Sequence, residues 1–111
     1  MSKVKLIIKL NEQESIIEGI KNKDSIIYKE NDILVKIKYN NNLYMTREND
    51  EYKLELNFEN NECLYLLKKY NKNMNLEIKT KRINIDNNKI EIEYSIYEEN
   101  IKFEIEFEEI K

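Results

Sequence analysis

The fold is decided by residues 89–108, which read KIEIEYSIYEENIKFEIEFE. Apolar side chains alternate with charged or polar ones along both halves of this stretch, and the acidic segment 98–100 separates the halves. Because successive side chains of a strand point to opposite faces of a sheet, the pattern predicts two half-buried strands joined in a hairpin. The same alternation recurs at residues 4–10 and 52–59, and it predicts an all-β protein.

The whole chain divides into short ribbons of this kind. We predict strands at residues 3–10, 14–20, 25–29, 33–39, 43–47, 52–59, 74–85, 89–97 and 101–108. Asn and acidic residues fill the gaps, and they are expected to form the hairpin turns of a meander because they tolerate positive φ in a chain whose only glycine is Gly19. Residues 61–70 fit a strand face and a helical face, so a strand is favoured there and one short helix is the alternative.

Inside residues 74–85 the alternating apolar residues change from even-numbered to odd-numbered positions. This change of parity, meaning a change in which alternate positions face the core, predicts a bend in that strand. The apolar positions switch register near Lys81 and Arg82, and one extra residue there, a β-bulge, would restore the alternation. Bulges bend strongly twisted sheets, so many consecutive ribbons of this type curl toward a closed barrel.

Charge placement also predicts closure. A hairpin that pairs Ile96 with Ile101 would set glutamates of the last two strands against each other on the outer face, at Glu91 with Glu106 and at Glu93 with Glu104. The first ribbon presents lysines outward, and these would neutralise the acidic patch if the first and last strands paired. We therefore predict a single domain, residues 1–111, in which an antiparallel meander closes into a barrel of about eight to ten strands.

The composition excludes several kinds of site. The 111 residues include no histidine and one cysteine, Cys63, which excludes Ser/His/Asp and Cys/His catalysis and zinc sites built on these residues. The glutamates of the last strands are interpreted as solvated surface groups rather than catalytic acids or calcium ligands. There is no glycine-rich phosphate loop. We expect no enzymatic activity, no cofactor and no metal.

The charge balance argues against nucleic acid and membranes as partners. The 22 acidic and 19 basic residues give a net charge of −3, which provides no long-range attraction to phosphates or anionic lipid. No apolar run approaches the length that spans a bilayer, and the first residues lack the pattern of a signal peptide. A cytoplasmic location is expected.

Arginine is rare in this lysine-rich chain and occurs only as Arg47 and Arg82. Arg47 shares the parity of Leu43 and Met45, which points it inward, where an isolated charge is costly unless it is paired. Two interpretations remain open: its guanidinium reaches into water at a barrel mouth, or it anchors an anionic group of a ligand at the open end of a cavity. The candidate ligand-binding residues are Arg47, Thr80, Tyr94 and Tyr70. We expect a hydrogen bond, direct or through water, between Arg47 and at least one of the other three.

Four short segments resemble a known bacterial family. They are residues 44–47 (YMTR), 54–58 (LELNF), 76–83 (LEIKTKRI) and 90–94 (IEIEY). In these segments the chain resembles the YwiB-like proteins, which are small calycin-type, lipocalin-like β-barrels. The positions that match the arginine, phenylalanine, threonine and tyrosine of the family are Arg47, Phe58, Thr80 and Tyr94. The resemblance implies a calycin-type barrel and leaves the function open.

Two functional hypotheses follow. In the first, a non-enzymatic barrel binds a small, partly apolar ligand in its interior, with Arg47 and tyrosines near the mouth. In the second, bulky side chains fill the interior, and the protein is a structural or interaction module whose outer surface pairs with another protein or with a second copy in a homodimer. Outward apolar residues such as Ile7, Leu34 and Tyr97 would belong to that surface. A continuous apolar cavity would favour the first hypothesis.

Overall fold

The computed structural model describes residues 2–40 and 42–110, which form ten antiparallel strands in a closed barrel. The strands are β1 Ser2–Leu10, β2 Gln13–Lys21, β3 Ser25–Glu30, β4 Ile33–Lys38, β5 Tyr44–Glu48, β6 Tyr52–Asn57, β7 Glu62–Leu67, β8 Lys72–Ile85, β9 Lys89–Ile96 and β10 Glu99–Glu109. Each strand pairs with its neighbours in sequence, and β1 pairs with β10. The predicted all-β barrel is confirmed, and residues 61–70 contain a strand rather than a helix. All regular elements of the described residues are strands, so this part of the chain contains no helix that could span a membrane.

The pairing of β1 with β10 closes the barrel as predicted. Lys5 lies opposite Glu108 and Lys9 lies opposite Glu104 across this seam. On its other side β1 pairs with β2, which brings one further glutamate opposite each of these lysines. Neither lysine is part of an ion pair in the described chain, so their charges act on the facing glutamates across exposed strand positions.

The hairpin between β9 and β10 is tighter than predicted. Tyr97 and Glu98 alone form the turn, and Ile101 pairs with Tyr94 instead of Ile96. The predicted register was therefore wrong by two residues. The physical reason is the backbone of Tyr97, which adopts a φ of 56° that is uncommon for a tyrosine and lets the chain reverse earlier.

In the corrected register neither predicted pair of facing carboxylates forms, but Glu91 lies directly opposite Glu104. Lys102 lies opposite Glu93, and the Nζ atom of Lys89 contacts carboxylates of both Glu91 and Glu104. Hydrogen bonds to Glu104 and then to Glu91 raise the pKa of Lys89. The outer face of this hairpin therefore carries its own lysines between its glutamates.

Asparagine forms most of the tight turns, as predicted. Six non-glycine residues of the described chain have positive φ, and four of them are asparagines: Asn11, Asn31, Asn61 and Asn71. The other two, Glu12 and Tyr97, were not expected from their residue type.

Strand β8 contains the predicted bulge. Thr80 pairs with Tyr94 and Arg82 pairs with Glu93, which leaves Lys81 as the extra residue. The bulge moves Ile83 onto the inner face, where it packs against the core. The parity change in the sequence is thus explained by one inserted residue at the predicted place.

The core lies between the inner faces of all ten strands. Its largest fully buried side chains include Leu6, Ile26, Ile37 and Phe58. The Phe58 ring packs edge-on against Tyr94 with 5.0 Å between centroids, an arrangement that aromatic pairs prefer. Cys63 is also buried, and burial raises the pKa of its thiol, so it packs as a small apolar residue.

Strand β2 is shared unequally between its two neighbours. All nine of its residues pair with β1, but only Gly19, Ile20 and Lys21 pair with β3. A Cβ atom at Gly19 would lie 2.6 Å from Cδ1 of Leu6 and 2.9 Å from the carbonyl oxygen of Ile27. Glycine at this position therefore lets the Leu6 side chain of β1 and the Ile27 backbone of β3 both lie close to β2, at the first residue of β2 that pairs with β3.

We predict that Gly19→Ala lowers the free energy of unfolding by roughly 1–3 kcal/mol, because the added methyl group would clash with the Leu6 side chain and the Ile27 carbonyl oxygen. Replacing a strand glycine by alanine in open space would instead stabilise the protein by reducing the entropy of the unfolded chain. Urea unfolding gives the sign, with Ser15→Ala on the exposed part of the same β2 face as the control. A Gly19→Ala protein that is as stable as the parent would contradict the close approach.

We also predict that Lys5→Glu lowers the free energy of unfolding by about 1 kcal/mol at low salt, because it lines up three carboxylates across β2, β1 and β10. The loss should shrink in high salt, which screens exposed charges. Lys5→Gln is the matched control, since it removes the positive charge without adding a negative one. Equal losses for the two variants, or a loss that salt does not change, would show that charge at this seam is unimportant.

Candidate functional site

A cavity of about 370 Å³ opens inside the barrel at one end. Its lining includes Leu10 and Gln13, which flank the turn between β1 and β2, and Ile96, which precedes the turn between β9 and β10. Seven of the ten strands contribute to the lining, so the cavity occupies the barrel interior. Away from this end the inner face is filled by fully buried side chains such as Leu6 and Ile26.

The floor of the cavity is apolar and buried. Ile8, Met45, Leu56 and Phe103 line it, and all four belong to the buried core. They come from β1, β5, β6 and β10, which pack around the barrel axis. A ligand that reached this floor would bury apolar surface, and each Å² of buried apolar surface would stabilise the complex by about 25 cal/mol.

The polar lining residues lie on one side of the cavity. Gln13, Ser15, Glu30 and Arg47 come from β2, β3 and β5. Ser15 has the inward parity of its neighbour Ile8, yet its side chain is exposed. An inward-facing strand position is exposed where the interior is open to solvent, and residues 13–18 of β2 have no partner in β3, so the opening of the cavity lies beside this stretch.

Arg47 lies on the inner face of β5 and forms an ion pair with Glu30 of β3. Its Nη2 atom is 3.3 Å from Oε2 of Glu30, and the two side chains are 24% and 41% exposed. A pair this exposed contributes at most about 1 kcal/mol to stability. Glu30 accepts from one of the five guanidinium N–H groups, and the Arg47 side chain has no other hydrogen bond within the described chain. The remaining donors are free to bind a second acceptor.

Tyr28 adds a polar group behind this ion pair. The residue is only 3% exposed, and its hydroxyl has no hydrogen-bond partner among the described residues. Burial raises the pKa of Tyr28, Arg47 opposes this shift, and Glu30 adds to it, so the hydroxyl senses both charges. A buried hydroxyl without a hydrogen-bond partner lowers the stability of the fold by about 1–3 kcal/mol, and such a loss is unusual next to a cavity mouth.

The structure brings two of the four predicted site residues together. Arg47 and Tyr94 both line the cavity. Tyr94 is 8% exposed, and burial raises the pKa of its hydroxyl while Arg47 opposes that shift. The phenol therefore stays protonated at neutral pH and can donate a hydrogen bond.

The other two predicted site residues lie outside the cavity lining. Thr80 is beside Tyr94 in the sheet, but its hydroxyl donates to the carbonyl oxygen of Phe58 at 2.6 Å. Tyr70 lies in the turn between β7 and β8, is 64% exposed and has the Nζ atom of Lys69 5.7 Å from its ring centre. The direct hydrogen bond expected from Arg47 to one of the three candidates is replaced by the bond to Glu30.

Sequence reasoning missed Glu30, Gln13 and Ser15. Glu30 has the same parity as the buried residues Ile26 and Tyr28, so the reasoning that placed Arg47 inward applies equally to it. Gln13 and Ser15 likewise share the parity of Ile17, which packs against the core, but their place in the lining also depends on where the pairing of β2 with β3 ends.

A larger and more open groove of about 580 Å³ lies on the outer wall formed by β5 to β8. Carboxylates and amides form most of its lining, which consists of Glu55, Asn57, Asn61, Glu62, Asn75 and Glu77 together with Tyr44, Cys63, Leu64 and Leu76. No set of three or more Cys, Asp or Glu side chains in the described chain is arranged to hold a metal ion. The groove lacks an extended buried apolar floor, so the interior cavity is the better candidate site.

Comparison with known proteins gives one structural neighbour and no sequence match. No family model and no curated protein matches the sequence. The crystal structure of YwiB from Bacillus subtilis superimposes with a TM-score of 0.60 at 20% identity, over 98% of this chain and 89% of that chain. Likeness at this level of identity concerns the fold alone. The chain is a small β-barrel similar in fold to YwiB.

Proposed function

We propose that this protein is a calycin-type, non-enzymatic barrel that binds a small, partly apolar molecule in its interior, with the polar group of the ligand held at Arg47. The cavity carries this proposal, because it combines an apolar buried floor with a few polar residues at the opening. Its volume of about 370 Å³ falls within the usual range for ligand sites. The closed antiparallel meander and the segments that resemble YwiB-like proteins support the calycin-type assignment.

The geometry of the opening favours a ligand with an acceptor group such as a carboxylate. Arg47 uses one N–H group for Glu30 and has others free for a planar anion. The partly exposed carboxylate of Glu30 can turn toward water when a ligand anion arrives. Gln13 and Ser15 provide neutral hydrogen-bonding groups beside the pair, and the hydroxyl of Tyr94 is a further donor.

Several observations support binding without catalysis. The chain has no histidine, and the carboxylate in the cavity lining, Glu30, is engaged by Arg47. The proposed ligand is therefore held by packing and hydrogen bonds and leaves unchanged. The near-balanced charge of the chain favours neither nucleic acid nor a membrane surface as partner, and the proposed location is the cytoplasm.

A second candidate function is a structural or protein-interaction module, of which a homodimer is one form. Exposed apolar side chains favour it: on the outer wall Ile16 is 65% exposed and pairs with outward Ile7, and Tyr97, in the turn between β9 and β10, is 77% exposed. Light scattering after size exclusion distinguishes a monomer from a dimer. The two candidates are compatible if the outer wall and the interior act independently.

We predict that octanoate binds in the cavity and that Arg47→Met weakens this binding about tenfold or more, because a charge-assisted hydrogen bond is worth about 1.5–3 kcal/mol. Octan-1-ol, which has the same apolar chain and no charge, should bind the parent and the variant with similar affinity. Titration calorimetry measures both ligands. The matched control is Arg82→Met, since Arg82 contacts Glu91 on the outer wall.

Native mass spectrometry of protein purified from its own cells provides the independent check. A retained small molecule that Arg47→Met loses would support the proposal. No retained molecule, together with no octanoate binding and a rise in stability of Arg47→Met, would show that the interior is only a core and that Arg47 is a tolerated charge.

A further inference from the structure

One stretch of β2 has a free edge. Residues 13–18 pair with β1 on one side, and the pairing with β3 begins only at Gly19. None of the additional backbone hydrogen bonds in the described chain involves this stretch. In an antiparallel strand with one partner, the N–H and C=O groups of every second residue point away from that partner without a bond. The free edge is about 20 Å long at ~3.4 Å per residue.

The side chains of this edge are also accessible. Gln13, Glu14, Ser15, Ile16 and Glu18 are exposed. Proteins usually block such edges because the unpaired backbone groups are a template for another strand. Here there is no proline in the chain, and the edge carries an aliphatic residue between two glutamates on its outer face.

The glutamates disfavour a second copy of this chain as the added strand. Antiparallel pairing that packs Ile16 against Ile16 of another copy would set Glu14 of each copy opposite Glu18 of the other. Like charges directly opposite one another destabilise a sheet. The required partner therefore has the opposite charge pattern.

Strand β1 shows what that partner looks like. On the occupied side of β2, Lys9 lies opposite Glu14, Ile7 lies opposite Ile16 and Lys5 lies opposite Glu18. A strand with the same pattern, basic residues at alternate positions around an aliphatic one, would make equivalent contacts on the free side. The backbone of the edge would supply hydrogen bonds and the glutamates would select the sequence.

We propose that residues 13–18 bind an extended, basic segment of another protein by strand addition, with Glu14 and Glu18 facing its basic side chains and Ile16 facing its aliphatic one. The inner face of the added strand would lie beside Ser15 and Ile17, at the opening of the cavity. Strand addition requires only the free edge, so it does not depend on ligand binding in the interior.

The test uses two short peptides and isotope-labelled protein. In the first peptide lysine and isoleucine alternate with threonine, and in the second glutamate replaces lysine. We expect the lysine peptide to shift the amide resonances of residues 13–18 and to slow their hydrogen exchange, with affinity that falls as salt rises. The glutamate peptide should bind at least about tenfold more weakly, a difference of about 1.4 kcal/mol.

Charge reversal checks the site. The double variant Glu14→Lys with Glu18→Lys should lose the lysine peptide and bind the glutamate peptide. The matched control reverses Glu62 and Glu77, a facing and exposed pair on the wall of β7 and β8, and should leave peptide binding unchanged. The amide spectrum of each variant shows whether it is folded before any peptide is added.

Three results would overturn the proposal. The first is that the parent protein binds the lysine peptide and the glutamate peptide with equal affinity, or binds neither of them. The second is an equal loss in the control variant, which would indicate a general charge effect. The third is protection of residues 13–18 in a concentration-dependent dimer without peptide, which would assign the edge to a second copy of the chain.

Discussion

The pairing of the first strand with the last is the constraint on which the rest of the structure depends. A meander of ten strands has two exposed edges, and joining β1 to β10 removes both. Lys5 and Lys9 of β1 suit this position because glutamates lie opposite them on both neighbouring strands. Closure also creates the enclosed interior in which apolar side chains are buried and in which the candidate site lies.

Strand pairing is not uniform around the barrel, and the short pairing of β2 with β3 explains the position of the candidate site. Gly19 allows β2 to cross close to Leu6 and to the backbone of β3. On the far side of this glycine, residues 13–18 of β2 pair with β1 and have no partner in β3, which ends at Glu30. The same separation exposes inward-facing Ser15 and places Arg47 and Glu30 at an opening. The interior cavity and the free strand edge are two consequences of one local divergence.

Much of this fold can be predicted from the sequence, because parity decides which face of a sheet each residue occupies. Parity gave the correct inner position of Arg47 and Tyr94 and the correct place of the bulge at Lys81. It does not give the height of a residue along the barrel, which depends on turn lengths and registers. The β9–β10 turn was mispredicted because Tyr97 adopts a positive φ, and Tyr70 was grouped with Arg47 although it lies in an exposed turn.

The central claim is that the buried apolar floor of the cavity receives the apolar part of a ligand. Intermolecular nuclear Overhauser effects between bound octanoate and assigned methyl groups test it most directly. We predict contacts from the alkyl chain to Ile8, Met45 and Leu56, which line the floor. Contacts confined to Leu64, in the outer groove of β5 to β8, or no contacts to the floor at saturating octanoate, would contradict the claim.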